Sequence, residues 1–369
     1  MTKKIKYFFI ALFIFIAGNS VSAQQKIGLA LPLMSESGSD ADKKVGEYIL
    51  KGVTDSYNEY KASNPKTKIE IKLGDTQKNP EVFYNMMLSY SKDNSVIAVL
   101  GPIFSAEMYV MKSMASTLKL PIISPTATAD NLASESEYLF QLNPDYTIRG
   151  SSMARYAVKE LNFKNILVLS ENKYGRFFSQ PFINEVNKND GTIIDTFYYD
   201  NADLIESGFI KFKNTINTQK PDAIYISIAS PADINVISPL LIKYYPDLPV
   251  LGSSDWNNKE TLLQNKNNIK TLYYECDFYL NDSLSNVYSG KNFSESELRN
   301  YLFGYNSMNF LLQSCENNLS RNKLQNYLNQ QIDYPGIQNN IVLKNRINHS
   351  LSIMSFFNGK LEKLTDYIY

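Results

Sequence analysis

Histidine is almost missing from this chain: His349 stands alone among 369 residues, and Cys276 and Cys315 are the only cysteines. A structural zinc site takes four Cys or His ligands, more than the whole chain holds, so no His/Cys metal centre is expected. Excess charge of either sign is missing too, with 37 Lys plus Arg against 37 Asp plus Glu. Without Lys3, Lys4 and Lys6 the remainder is about three units acidic, which gives no basic face for nucleic acid. There is no glycine-rich phosphate loop and no Gly-x-Ser-x-Gly. The lone histidine falls in what reads as a terminal hairpin, as an exposed turn residue. Neither thiol has a histidine nearby in sequence, so nucleophilic catalysis is not expected. The reading is therefore not an enzyme, and no cofactor is expected. After the N-terminal segment no apolar run reaches transmembrane length.

What is present begins with residues 1–23. Lys3, Lys4 and Lys6 form a positive start, Tyr7 to Ala17 an apolar run short for a bilayer, and Val21-Ser22-Ala23 a small-residue cleavage site before Gln24. This is the pattern of a secretory signal peptide. No cysteine follows for lipid attachment, so the mature chain is expected to be exported, periplasmic and not inserted in a membrane. Export permits a Cys276–Cys315 disulfide, but one residue lies in an extended segment and the other in a helix, and two free, buried thiols are the favoured reading. At 44% hydrophobic and 20% charged residues, the rest has the composition of one large or two medium packed domains.

Val96 to Leu132 shows how the chain is organised. Val96–Leu100 is continuously apolar, as a strand buried on both faces would be, and Gly101-Pro102 ends it. Glu107 to Leu118 has helical spacing through Met108, Met111, Met114 and Ala115. Pro121–Ile123 begins the next strand and Ser124-Pro125 stops it. Two successive strand ends thus carry hydroxyls: Ser105 on one loop, and Ser124, Thr126 and Thr128 on the next. Open parallel sheets bind ligands at the carboxyl ends of their strands. Strand and helix alternate in the same way from Lys26 to Leu251, with helices expected at Gly46–Tyr60 and Arg149–Leu161 among others, which predicts two parallel α/β layers. Asn358-Gly359 signals a closing hairpin.

The pair Gly101-Pro-Ile-Phe-Ser105 and Ile123-Ser-Pro-Thr-Ala-Thr128 resembles the paired loops of the type I periplasmic binding proteins, in particular the leucine/isoleucine/valine-binding branch of ABC-transporter solute receptors. Gly304-Tyr305 and Tyr174-Gly175 are similar to further family motifs, and the resemblance runs from about Lys26 to Leu364. It implies an α/β fold of two doubly wound parallel-sheet lobes joined by a three-crossing hinge. The lobes would be 24–143 plus 281–333, and 144–280 plus 334–369. It also implies a small-molecule ligand, an amino acid or small carboxylate, and an ABC-transporter permease as partner. Ser105, Thr126 and Thr128 would hold the ligand's carboxylate, Tyr174 would cover it, and Asp255 would meet its ammonium, with Ser254 the alternative at that position. Val45 and Ala229 stand where relatives carry ligand-covering aromatics. That departure keeps a second reading open: an envelope protein of the same fold acting through protein contacts, for example in cell-wall synthesis.

Overall fold

The computed structural model describes residues 24–34, 36, 39–280, 284, 287–317 and 319–369. The expected signal segment, 1–23, lies outside the described residues. Strands and helices alternate from the start: β1 Gln25–Leu31, α1 Asp40–Ser63, β2 Ile69–Asp75, α2 Pro80–Lys92, β3 Val96–Leu100, α3 Ser105–Tyr109, α4 Ala115–Leu118, β4 Ile122–Ser124 and β5 Leu139–Gln141. The second run is α5 Tyr146–Lys159, β6 Asn165–Glu171, α6 Gly175–Lys188, β7 Thr192–Tyr199, α7 Ile205–Thr218, β8 Ala223–Ser227, α8 Asp233–Tyr244, β9 Val250–Gly252, α9 Lys259–Gln264 and β10 Thr271–Cys276. Then come α10 Glu295–Cys315, α11 Arg321–Leu328, β11 Ile332–Tyr334, β12 Ile341–Lys344, β13 Ile347–Asn348, β14 Ser350–Phe357 and β15 Lys360–Ile368.

Two sheets result, ordered β11-β12-β13-β5-β4-β3-β1-β2 and β15-β14-β10-β9-β8-β6-β7. The strands β2-β1-β3-β4-β5 are parallel throughout, as are β7-β6-β8-β9-β10. Antiparallel strands close one edge of each sheet. Apolar clusters cover both faces of both sheets: Ile27, Leu29 and Leu100 on one side of the first with Val99, Ile122 and Leu139 on the other, and Leu169 and Ile226 against Val168 and Tyr225 in the second. Burial on both faces is why β3 reads as Val-Ile-Ala-Val-Leu without alternation. The outer strand β15 alternates and carries Lys360, Glu362 and Lys363, charges that discourage pairing with another chain.

The chain passes between the sheets from β5 to α5, from β10 toward α10, and from β13 to β14. The last crossing corrects an expected boundary. Residues 334–348 belong to the first sheet, because β12 pairs β11 and β13 pairs β5, so the second lobe regains the chain at Ser350 and not at 334. His349 lies at this crossing, not on an exposed turn; it is half-buried, its ring 14° from parallel with Tyr369.

Helix ends follow side-chain caps that periodicity alone does not register. Ser39 accepts from Asp42 N and starts α1 a turn and a half before the expected Gly46. Asp145 accepts from Ile148 N at 2.8 Å and starts α5 three residues before Arg149. Ser294 and Glu297 form a reciprocal capping box at α10. The helix expected over 107–118 is instead two short helices joined by turns closed three residues apart, Met111 N to Met108 O and Met114 N to Met111 O. Met108, Met111 and Ala115 still share the buried side. Where α1 crosses α10, a Cβ on Gly52 would stand 1.9 Å from Tyr301 O, and one on Gly304 2.2 Å from Ile49 O. The close crossing therefore needs glycine on both helices.

Candidate functional site

The carboxyl ends of the two sheets face a cavity of about 460 Å³. Thr126, Thr128, Tyr174, Ser254 and Asp255 line it, together with Asn143, Arg149, Asp277 and Arg299. The wall is mostly polar; Tyr174, Pro231 and Phe278 supply its larger apolar surfaces.

Arg149 anchors the floor. Helix α5 docks on the first lobe through Tyr146 N to Thr128 O at 3.0 Å and Thr147 N to Asp130 Oδ1 at 2.8 Å. Its first turn therefore stands at the crossing, and the Arg149 guanidinium, 4% exposed, meets Asp277 at 2.6 Å, Ser254 Oγ at 3.0 Å and Glu275 at 3.8 Å. Asp277 also receives Arg299 from α10 at 2.8 Å and Asn143 at 3.1 Å. One buried carboxylate thus joins α5, α10 and the first crossing. Burial alone would raise the Asp277 pKa, but Arg149 and Arg299 overcome it and hold the carboxyl at about 2. Burial alone would likewise lower the Arg149 pKa; Asp277 and Glu275 reverse that and keep it charged. Burial dominates at Glu275, which is pushed up to about 7 although Arg149 and the Ser254 N–H oppose the rise.

Asp255 follows β9. Its carboxylate accepts from Ser253 Oγ at 3.1 Å, and among the described residues no Lys, Arg or His lies within ion-pair distance of it. Burial pushes its pKa up to about 6, against the pull of Arg149 and Ser253. Ser254, the alternative at this position, is occupied: its Oγ accepts from Arg149 and its N–H donates to Glu275 Oε1 at 3.0 Å. Tyr174 sits just before α6, its ring edge-on to Tyr146 and Phe178 at 6.1 and 5.4 Å. Burial raises its phenol pKa, and the nearby Asp255 charge raises it further. Trp256 belongs to the core, fully buried, with Nε1 donating to Ile226 O at 2.9 Å.

The structure brings Thr126, Thr128, Tyr174 and Asp255 to one cavity, but Ser105 is not among the lining residues. Its Oγ accepts from Thr128 N at 3.2 Å and Ala129 N at 3.1 Å, tying the two loops together. Thr126 Oγ1 is also engaged, donating to Ile103 O at 2.8 Å. Ser105→Ala is expected to cost about 1–3 kcal/mol of stability, because two partly buried N–H groups lose their acceptor. Urea denaturation of the two proteins measures this; unchanged stability with weakened ligand binding would mark Ser105 as a ligand contact instead. Neither Val45 nor Ala229 lines the cavity; Val45 packs against the first-lobe core. Both cysteines are free and buried, and burial raises both thiol pKa values.

Sequence reasoning missed Arg149, Asn143, Glu275, Asp277 and Arg299. The one local signal was Glu-Cys-Asp at the end of an extended apolar segment, since acids in a buried strand call for cationic partners.

The Periplasmic binding protein family model matches residues 24–240, and the chain belongs to that family. Solved structures of the same fold include a provisionally assigned branched-chain amino acid ABC transporter from Rhodospirillum rubrum, 17% identical, with 92% of this chain and 99% of that one covered at a TM-score of 0.79. The branched-chain amino acid transporter substrate-binding protein of Streptococcus pneumoniae, in complex with isoleucine, is 19% identical, with 94% and 99% covered at 0.63. A solute-binding protein of R. palustris, in complex with 4-hydroxybenzoate, is 12% identical, with 93% and 97% covered at 0.65. An uncharacterized protein of Methanocaldococcus jannaschii is 25% identical over 140 residues, 36% of this chain; the match spans about a third (33%) of that relative. Among the described residues no helix is long and apolar enough to cross a membrane.

Proposed function

We propose that this protein is exported to the periplasm, with its mature chain beginning at Gln24, and captures a small polar ligand between its lobes for an ABC-transporter permease. The ligand is an amino acid or a small carboxylate with a cationic group. The observation that carries this reading is Asp255: a carboxylate lining an interlobe cavity, with no basic partner within ion-pair distance among the described residues. A partly buried carboxylate without a countercharge is costly, and a ligand ammonium relieves that cost. Tyr174 covers the ligand from the second lobe with apolar area, and the Thr128 hydroxyl faces it from the first. Membership of a binding-protein family and solved relatives holding isoleucine or 4-hydroxybenzoate support a binding role over a catalytic one.

The test is a thermal-shift screen of the twenty amino acids and common carboxylates on the envelope-purified protein. A ligand at about 100 times its dissociation constant adds roughly 2.7 kcal/mol of stability. The same ligand should shrink the radius of gyration in small-angle scattering as the lobes close. No shift and no compaction with any of them would favour the protein-contact reading that Val45 and Ala229 keep open.

A further inference from the structure

The proposed function leaves one pole of the ligand to be assigned. The loops expected to clamp a carboxylate have spent most of their donors on each other: the Thr128 and Ala129 N–H groups go to Ser105 Oγ, and the Thr126 hydroxyl goes to Ile103 O. The Thr128 hydroxyl is what these groups leave for a ligand, and one neutral hydroxyl is a weak anion site.

Arg299 offers a stronger one. It lines the cavity from the second turn of α10, with its side chain 41% exposed. Its guanidinium carbon lies over Phe303, 4.8 Å from the ring centroid, a cation–π contact that helps to hold the side chain. Among the described residues its one hydrogen-bond acceptor is Asp277. A guanidinium carries five N–H donors, so several remain for a carboxylate.

The local charge favours the same end. Asp277 is shared between two guanidiniums, Arg149 and Arg299, so its single charge matches only one of them. Glu275, 3.8 Å from Arg149, and Glu295, which lines the cavity one turn before Arg299, both have their pKa values raised by burial, which weakens their hold on the negative charge. Asp255 stands elsewhere on the wall, close enough for Arg299 to act on its titration. The cavity therefore has a positive pole and a negative pole.

We infer that Arg299 is the anion anchor of the cleft, receiving the ligand's carboxylate while Asp255 receives its cationic group. This rests on the ligand-binding reading above and names a residue for it. A bidentate guanidinium–carboxylate pair in a drying site is among the stronger hydrogen-bonded contacts a ligand can make.

The experiment is calorimetric titration of the full mature chain with L-leucine, L-glutamate and L-lysine and with the α-carboxamide of each, which keeps the ammonium and removes the charge of the α-carboxylate alone. The unsubstituted protein should prefer at least one acid over its amide by tenfold or more. Arg299→Gln should bring that ratio close to one, whereas Asp255→Asn should weaken acid and amide together. A merely structural role for Arg299 would lower both affinities and leave the ratio alone. Arg299→Lys keeps a charge beside Asp277 and should lower the ratio by less; if Arg299→Gln does not fold, an unchanged ratio in Arg299→Lys overturns the assignment. Equal binding of acid and amide by the unsubstituted protein, or a preference that survives Arg299→Gln, also overturns it, and returns the carboxylate to Thr126 and Thr128 with the ligand-binding reading intact. Failure of all three acids here, and of every amino acid in the thermal-shift screen, would instead overturn amino-acid binding itself, and this assignment with it.

Discussion

Asp255→Ala is expected to weaken binding of an α-amino acid by roughly ten- to a hundred-fold, the equivalent of one charge-assisted hydrogen bond, while leaving the deaminated analogue nearly unchanged. The asymmetry follows from the position of the carboxylate. Among the described residues its one protein donor is Ser253 Oγ, so an ammonium meets an ion whose charge the protein has not neutralised. The deaminated analogue has no ammonium to lose. The same carboxylate predicts a pH dependence. Burial holds its pKa at about 6 in the free protein, so below about pH 6 it is protonated and cannot pair with an ammonium. Affinity should fall about tenfold per unit as pH drops below that value, and level off above it. Proton release on binding near pH 6, read from titrations in buffers of different ionisation enthalpy, checks the sign independently. If Asp255→Ala weakens the amino acid and its deaminated analogue alike, or neither, the ammonium lies elsewhere.

How much of this could be read from the chain alone depended on how local the determining contacts are. β3 announces itself because five consecutive apolar residues have no solvent face to show. Asp255 and Tyr174 were legible as strand-end loop residues, and such loops in a parallel α/β sheet converge on one edge. Ser105 was legible by position but not by use: its hydroxyl is spent on Thr128 and Ala129 N–H groups, more than twenty residues along the chain. The 334–348 segment looked like part of the closing strands because its strands are short and polar turns separate them. Its pairing with β5 is set by tertiary contact. Arg149 was hidden most thoroughly. In sequence it is an ordinary cation in the first turns of an amphipathic helix, and its partners arrive at the end of β10. Nothing in the spacing of α5 distinguishes a guanidinium in solvent from one in the floor of a cavity.

That hidden residue carries the largest expected effect on stability. Arg149→Met is expected to destabilise the protein by about 3–5 kcal/mol, because removing one partner of a buried ionic group leaves uncompensated charge. The cost should not be constant with pH. Asp277 keeps Arg299 and Asn143 and stays ionised. Glu275 is 1% exposed and loses the one cation within ion-pair distance among the described residues. Its pKa is already raised to about 7 by burial with Arg149 present, and Arg149 is the largest influence lowering it. The variant must therefore hold Glu275 protonated to a higher pH. A carboxyl whose folded pKa lies above its unfolded value lowers stability as pH rises from the unfolded value through the folded one. In the unsubstituted protein that loss ends near pH 7; in the variant it continues. The gap between the two should thus be narrower at pH 5 than at pH 8. Glu275→Gln added to Arg149→Met removes the titrating group and should recover part of the loss at pH 8 and little at pH 5, a coupling that a double-mutant cycle isolates. Chemical denaturation of the four proteins at both pH values decides it. A gap that is the same at pH 5 and pH 8, with no recovery from Glu275→Gln, would mean that Arg149 stabilises the floor by packing and by Asp277 alone.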